Sequence, residues 1–235
     1  MVLDISNIDV LYDDFQVVWD LSLNVKKGEM VALLGPNGSG KSTILNTISN
    51  LVPHKNGSIK FNGKSIGKSP TYTRTSMGIS HVLERRRVFP HLTVKQNLLL
   101  GAWHKESKKM RVSSLENIYN IFPKLKIRSD QLAKTMSGGE QQMLAIARGL
   151  MGLPKLLMVD EPFLGLSPIV VKDLIKIFKN ITLQGVSILF VEQNVRLALS
   201  MANRGYVLES GRLVVSGNSE DLIKNEKVKK VFLGS

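Results

Sequence analysis

The chain has 235 residues, of which 43% are hydrophobic and 22% charged, the usage of a folded globular protein. It contains no cysteine, which excludes disulfides, thiolate metal sites and cysteine nucleophiles. Its 32 Lys and Arg against 19 Asp and Glu give a net charge of +13, which suits nucleic acid, an anionic membrane surface or a phosphate-bearing ligand without choosing among them.

The first part of the chain predicts strands, then a glycine-rich loop and a helix. Apolar runs predict strands at residues 2–11, 17–25, 30–34 and 57–61. The third run leads into GPNGSG, and from Lys41 apolar residues recur at helical spacing until Pro53. No apolar run approaches the ~18 residues that cross a bilayer, and the acidic start does not resemble a signal peptide. We therefore expect neither a membrane span nor an export signal.

The chain changes character at about residue 89. Helical patterns dominate from there to residue 150, which predicts a helical subdomain (89–150) inserted into an α/β core of residues 1–88 and 151–235. The core resumes with predicted strands at 155–159 and 186–191, a helix at 168–183, a hairpin around Gly211 and two short basic helices. This alternation predicts a mostly parallel sheet.

A phosphate-binding loop is the clearest chemical signal. The segment GPNGSGKS matches GxxxxGK[ST] between a predicted strand and a predicted helix, where backbone N–H groups and the helix dipole favour phosphate. We expect Lys41 to reach the β and γ phosphates of a nucleotide and Ser42 to ligate Mg²⁺. The predicted nucleotide-binding residues are Gly35, Pro36, Asn37, Gly38, Ser39, Gly40, Lys41, Ser42 and Thr43. An ordinary glycine turn is the alternative.

Two acidic residues follow the predicted strand at 155–159. A nucleotide triphosphate site needs a carboxylate that holds the hydrated metal and a base beside the attacking water. Asp160 is placed to position Mg²⁺, and Glu161 is placed to polarise water. Taken alone, two such acids are more often a helix cap or a solvated loop, but the phosphate loop upstream favours the catalytic interpretation.

A third motif carries a family resemblance. The segment MSGGEQQ at 136–142 resembles the SGGQ signature of ATP-binding cassette (ABC) ATPases, and its Ser137 stands 23 residues before Asp160, as expected for them. Ser137 would open a helix whose N-terminus can bind phosphate. In isolation the segment could be only a serine helix cap followed by glycines. The ordered set of three motifs favours the family, and the resemblance covers essentially the whole chain.

This resemblance implies an α/β P-loop NTPase fold with a mostly parallel core sheet, an antiparallel N-terminal β part and an inserted helical subdomain. It also implies a head-to-tail dimer with a second ABC ATPase subunit, alike or different. In such a dimer Ser137, Gly138 and Gly139 of one subunit serve the nucleotide of the other. Tyr12 resembles the aromatic residue that stacks on adenine, although a strand tyrosine is commonly a packing residue.

The chain departs from the usual family pattern at three positions. Glu84 stands where the family usually has Gln; its carboxylate could still bind Mg²⁺, or it could be a surface acid paired with Arg85–Arg87. Gln193 stands where the family usually has a histidine, and an amide can donate to the γ phosphate but cannot carry a proton, so we predict slower turnover. Ser167 replaces an Asp of many relatives, which weakens any inter-subunit contact that needs a carboxylate.

These departures point to one branch of the family. The segments VFPHLTVKQNLLLGA, DEPFLGLSP and VEQN and the ending VFLG are similar to the second of two ATPase subunits in branched-chain amino-acid importers, which commonly carry Glu and Gln at two of these positions. Related urea and amide importers share part of the pattern. The similarity implies two membrane permease subunits, docked beside Glu84 and residues 89–100, and an external substrate-binding protein that acts indirectly. It also implies a peripheral place on the cytoplasmic side of the cell membrane.

Two alternatives share the nucleotide motifs. An ABC ATPase acting on nucleic acid or ribosomes would suit the +13 charge, but the basic residues lack interleaved aromatics, so we expect no nucleic acid partner. Anionic lipid head groups explain the charge equally well. An exporter ATPase is the second alternative, against which the pair Glu84 and Gln193 argues.

Overall fold

The computed structural model describes residues 1–229, which form two β-sheets with helices packed around them. The strands are β1 (Leu3–Tyr12), β2 (Phe15–Val25), β3 (Met30–Leu34), β4 (His54–Phe61), β5 (Lys64–Ser65), β6 (Ile79–Val82), β7 (Leu156–Asp160), β8 (Ser187–Glu192), β9 (Arg204–Glu209) and β10 (Arg212–Asn218). The helices are α1 (Lys41–Ile48), α2 (Thr71–Ser76), α3 (Val94–Gly101), α4 (Lys105–Lys109), α5 (Arg111–Ile121), α6 (Pro123–Ile127), α7 (Gly138–Leu150), α8 (Pro168–Leu183), α9 (Val195–Leu199), α10 (Ser219–Lys224) and α11 (Glu226–Val228). A short 3-10 turn at Ala133–Thr135 precedes α7.

The larger sheet is the mostly parallel one that the sequence predicts. Its strand order is β10-β9-β3-β8-β7-β6, and every neighbouring pair is parallel except β9 and β10. The smaller sheet, β2-β1-β4-β5, is antiparallel. Leu34 pairs with Glu192, and Asp160 pairs with Val191. The carboxyl ends of β3, β7 and β8 therefore meet at one edge, which is where ligands bind in sheets of this kind.

Strand β3 lies between two hydrophobic clusters. Val31 and Leu33 pack with α1 and the smaller sheet on one face. Ala32 and Leu34 pack on the other face with a cluster that includes residues of α3, α7 and α8. Because side chains alternate along a strand, this short buried strand fixes the direction in which its last residue leads into the glycine-rich loop.

Helix α1 ends at a buried arginine. The Nη1 atom of Arg74 donates to the carbonyl oxygens of Thr47 at 2.8 Å and Ile48 at 2.7 Å, the last residues of the helix. A cation at a helix C-terminus satisfies carbonyl groups that have no partner within the helix and complements its dipole. The helix therefore stops at Ile48, earlier than the Pro53 boundary predicted from sequence.

The fold class is confirmed, with differences in the detail. Sequence patterns did not predict β5, β6, α2 or α9. The two helices after the hairpin were predicted to be basic, and this is wrong for α10, whose first turn carries Glu220 and Asp221 against a single Lys224. Acidic side chains in a first turn complement the helix dipole. The ending VFLG, used in the subtype comparison, lies outside the described residues.

Between Val82 and Leu156, a stretch described in full, the structure contains helices and no named strand. The division into a core (1–88 and 151–235) and a helical subdomain (89–150) is kept as our proposal. Helix α7 also contacts the larger sheet, since a Cβ added at Gly149 would lie 3.0 Å from Cγ2 of Val82. Within residues 1–229, none of the helices has the length and apolar character needed to cross a membrane.

Candidate active site

The loop between β3 and α1 curls around the ammonium group of Lys41. Its Nζ donates hydrogen bonds to the carbonyl oxygens of Gly35 and Pro36, both at 2.8 Å. A Cβ at Gly35 would lie 2.5 Å from both the Leu208 carbonyl oxygen and Oγ of Ser39, so only glycine fits where the loop begins. Burial lowers the pKa of Lys41, while the carboxylates of Glu161, Asp160 and Glu192 raise it. The two carbonyl oxygens thus hold the ammonium group inside the loop.

The loop forms one side of a cleft of about 530 Å³ at the carboxyl edge of the larger sheet. Outside the loop, Glu84, Glu161 and Gln193 reach the same cleft from three separate parts of the chain. Its lining residues are Val17, Asn37, Gly38, Gly40, Lys41, Ser42, Thr43, Glu84, Glu161, Leu164 and Gln193. Six of the nine predicted phosphate-loop residues thus share the cleft with Glu161, Glu84 and Gln193, whereas Gly35, Pro36 and Ser39 are not among its lining residues.

Asp160 and Ser42 fit a divalent cation that is shared with phosphate oxygens. Asp160 is 4% exposed, and its buried Oδ1 has no hydrogen-bond partner among residues 1–229. Burial raises the pKa of Asp160, and the Ser42 hydroxyl lowers it. A hard carboxylate oxygen without a partner, beside a hydroxyl, suits Mg²⁺. Among residues 1–229, no group of three or more His, Cys, Asp or Glu side chains lies close enough together to hold a metal ion.

Glu161 and Gln193 are directly hydrogen-bonded. Glu161 has a left-handed backbone with φ of 47°, and its N–H donates to the Val191 carbonyl at 3.1 Å. The Nε2 of Gln193 donates to Oε1 of Glu161 at 2.5 Å. A strained backbone at a carboxylate in a cleft is typical of functional sites. The amide of Gln193 thus orients the carboxylate that the sequence predicts to be the base.

Glu84 reaches the cleft and also contacts an arginine. It follows β6 by two residues, and its Oε1 lies 3.4 Å from Nε of Arg85. Its negative charge contributes to the raised pKa of Asp160. The contact with Arg85 agrees with the surface-acid interpretation, and the Mg²⁺-ligand interpretation stays a prediction for a side chain that lines the cleft.

Tyr12 lies at the end of β1 beside the first turn of α1. Its hydroxyl is 3.5 Å from Oγ1 of Thr43, which lines the cleft. The side chain is 45% exposed, so much of it is not used for packing. An exposed aromatic ring next to a phosphate-binding loop can stack on a nucleotide base.

The signature segment opens α7 away from the phosphate loop. Ser137 caps the helix and forms a capping box with Glu140, whose carboxylate accepts from the Ser137 N–H at 2.9 Å. Ser137 lines a second pocket, of about 650 Å³, and is not among the residues that line the first cleft. Gly138 and Gly139 are the first two residues of α7, and the guanidinium of Arg86 lies against Gly138.

Sequence reasoning missed Glu192, the last residue of β8. Its carboxylate is buried at the carboxyl end of β8 and accepts hydrogen bonds from two loops. A glutamate that ends an otherwise apolar strand, next to Gln193, was a visible signal. Only the fold shows which groups it contacts.

Known proteins are similar to this chain over nearly its whole length. The family model described as ABC transporter matches residues 18–164. The chain is 42% identical to the high-affinity branched-chain amino acid transport ATP-binding protein BraG of Pseudomonas aeruginosa, over 99% of this chain and 100% of that protein. It is 34% identical to the lipopolysaccharide export system ATP-binding protein LptB of Haemophilus influenzae, over 99% of this chain and 97% of that protein.

A solved structure resembles the whole fold. The crystal structure of the ADP conformation of MJ1267, an ATP-binding cassette of an ABC transporter, superposes with a TM-score of 0.88 at 25% identity. The match covers 100% of this chain and 99% of that one. The likeness therefore extends over both sheets and the helices between them.

Proposed function

The chain belongs to the ABC transporter family and is an ATP-hydrolysing transporter subunit, and we propose that it energises the uptake of branched-chain amino acids through membrane permease subunits. The observation that carries the proposal is the 42% identity to BraG over the full length of both chains, against 34% to LptB. The pair Glu84 and Gln193, both in the phosphate-loop cleft, agrees with it.

The phosphate loop and Asp160 bind the nucleotide and its metal in this proposal. Residues 35–43 surround the phosphates with N–H groups and the N-terminus of α1, and Lys41 neutralises negative charge there. Ser42 and Asp160 would hold Mg²⁺, with Glu84 as a further oxygen ligand. The ion, when bound, would offset the negative charge that builds on the phosphate oxygens. Tyr12 would stack on the adenine ring.

Glu161 is the proposed base and Gln193 its neighbour on the γ phosphate side. Glu161 orients the attacking water, and Gln193 donates hydrogen bonds but cannot take up a proton. Hydrolysis at this site is therefore expected to be slower than at one with histidine in that place.

A second ATPase subunit completes the site. Ser137 lines a pocket separate from the phosphate loop of its own chain, and Gly138 and Gly139 follow it in the first turn of α7, so this segment can meet a nucleotide held by a partner. Capping of α7 by Ser137 leaves its first N–H groups directed out of the helix, where a γ phosphate could accept from them. The partner is either a second copy or a related ATPase.

The proposed permease site is a groove lined by residues of both the core and the helical subdomain. It has a volume of about 530 Å³ and is lined partly by Phe89, Leu100 and Trp103, which are 49%, 46% and 42% exposed. In its wall, Nη2 of Arg148 donates to the Arg87 carbonyl at 2.6 Å. A permease segment in this groove would touch the loop that also carries Glu84, which links docking to the nucleotide cleft.

The test is uptake of labelled leucine, isoleucine and valine by cells with the wild-type chain or with Lys41→Ala. We expect uptake with the wild type only, and two polytopic proteins to co-purify with the tagged chain from gently solubilised membranes in the presence of ATP. Uptake of urea or amides without uptake of these amino acids would replace them as the proposed substrate. Equal uptake in both strains, with lipopolysaccharide or lipid export impaired in the variant, would favour the exporter alternative. Co-purification of nucleic acid without membrane proteins would overturn the transport proposal.

A further inference from the structure

The carboxylate of Glu192 joins two loops of the active site. Glu192 ends β8 and is 6% exposed. Its Oε1 accepts a hydrogen bond from the Phe163 N–H at 3.2 Å, and its Oε2 accepts one from the Gln193 N–H at 3.2 Å. One oxygen therefore holds the loop after β7, and the other holds the loop after β8.

The loop after β7 carries Glu161, and the loop after β8 carries Gln193. Both side chains line the proposed nucleotide cleft. Phe163 follows Glu161 by two residues, and Gln193 is the residue whose side chain donates to Glu161. The Glu161 N–H also donates to the Val191 carbonyl of β8 at 3.1 Å. Glu161 and Gln193 are thus connected through their side chains on the cleft side, and through Glu192 on the buried side.

A carboxylate suits this position better than other side chains of similar size. Burial raises the pKa of the Glu192 carboxyl, and the N–H groups of Phe163, Asn194 and Gln193 partly offset this by donating to the carboxylate. The amide of glutamine would offer one acceptor and would set an NH₂ group against the other N–H. Aspartate would keep both acceptors but is one methylene shorter, so it could not reach both loops at once.

We propose that Glu192 is a positioning residue for ATP hydrolysis, which sets the relative position of Glu161 and Gln193 without touching the nucleotide. This inference rests on the proposed function, because it takes Glu161 as the base. Displacement of a reacting group by about 1 Å can cost on the order of 100-fold in rate. The phosphate loop, which binds ATP, has no hydrogen bond to Glu192 in the described part of the chain, so nucleotide binding should be retained.

The experiment measures MgATP hydrolysis by the full-length chain and four variants: Glu192→Gln, Gln193→Ala, their double mutant, and Glu209→Gln as the control. Glu209 is also a glutamate that ends a strand, β9, but it is exposed. We expect Glu192→Gln to lower kcat about 10- to 100-fold with KM for ATP within about twofold of the wild type. Glu209→Gln should leave both unchanged. The loss caused by Gln193→Ala should be much smaller in the Glu192→Gln background than in the wild type.

Three results would overturn the inference: an unchanged kcat in folded Glu192→Gln, a fall in kcat that is matched by a loss of ATP affinity, or a full Gln193→Ala effect in both backgrounds. If Glu192→Gln does not fold, Glu192→Asp takes its place with the same expected split between kcat and KM. Full activity of Glu161→Gln would instead remove Glu161 as the base, so failure of the proposed function is seen separately.

Discussion

Gln193 donates a hydrogen bond from Nε2 to Oε1 of Glu161 at 2.5 Å within one chain. The two residues are 32 positions apart and directly follow the adjacent strands β7 and β8 at the carboxyl edge of the larger sheet. An amide at this point can orient the carboxylate, but it can neither accept a proton from it nor carry positive charge toward a phosphate. The first two predictions follow from the chemistry of this pair.

Replacing Gln193 with histidine should speed hydrolysis. An imidazole of similar reach can donate to the γ phosphate and can also carry a proton and a charge near neutral pH. We expect kcat to rise by up to about tenfold, equivalent to about 1.4 kcal/mol in the barrier, in steady-state phosphate release by the full-length chain. Gln193→Asn, which keeps the amide but shortens the side chain, is the matched control and should not raise kcat. Unchanged hydrolysis in Gln193→His would count against this explanation.

Replacing Glu161 with glutamine should separate binding from hydrolysis. The amide keeps the shape of the side chain but removes the basic oxygen, and loss of a general base typically costs about 10²- to 10⁴-fold in rate. ATP should still bind, because the phosphate loop is unchanged, and we expect ATP to hold the variant as a stable dimer. Phosphate release and size-exclusion chromatography with ATP measure the two effects. Glu220→Gln, a change of the same kind at the start of α10, should leave hydrolysis at the wild-type rate.

The sequence predicted those parts of the site that lie in continuous segments. The phosphate loop, the acid pair after β7 and the Ser137 helix cap each depend on residues next to one another, so their patterns are visible without the fold. The hydrogen bond that the Glu192 carboxylate accepts from Phe163 joins residues 29 positions apart, so the sequence alone could not show it. Strand β6 was missed because it has only four residues and includes a histidine. It pairs in parallel with β7, so its formation rests on the sheet and not on local propensity.

Tyr12 supplies a test of adenine stacking. Removing a ring that stacks on a base costs about 1–3 kcal/mol, so Tyr12→Ala should weaken ATP affinity by about fivefold or more. Tyr12→Phe keeps the ring and should bind as the wild type does. Phe15, 73% exposed on the adjacent strand, offers a matched control, and Phe15→Ala should leave affinity unchanged. Titration with ATP in a calorimeter measures all three, and unaltered binding in Tyr12→Ala would remove its role in stacking.

His81 makes the stability of the fold depend on pH. Its Nδ1 lies 2.8 Å from Oγ of Ser49, its buried Nε2 has no partner among the described residues, and Arg74, Arg87 and Arg148 line the same groove. Burial lowers the pKa of His81 to about 4 from 6.5. Because the unfolded chain binds this proton more readily than the folded one, the stabilisation is complete above pH 6.5 and is lost as pH falls toward 4.

The histidine should therefore account for up to about 3 kcal/mol of the stability lost between pH 7.5 and pH 4.5. Urea unfolding of wild type and His81→Asn at both pH values isolates this share, because the carboxylates titrate in both proteins. The asparagine can still bond to Ser49 but takes up no proton, so its loss of stability on acidification should be smaller by that amount. His91→Asn, a histidine at an exposed position, is the control and should follow the wild type. Equal losses in wild type and His81→Asn would show that the folded protein accommodates a charged imidazole in the groove.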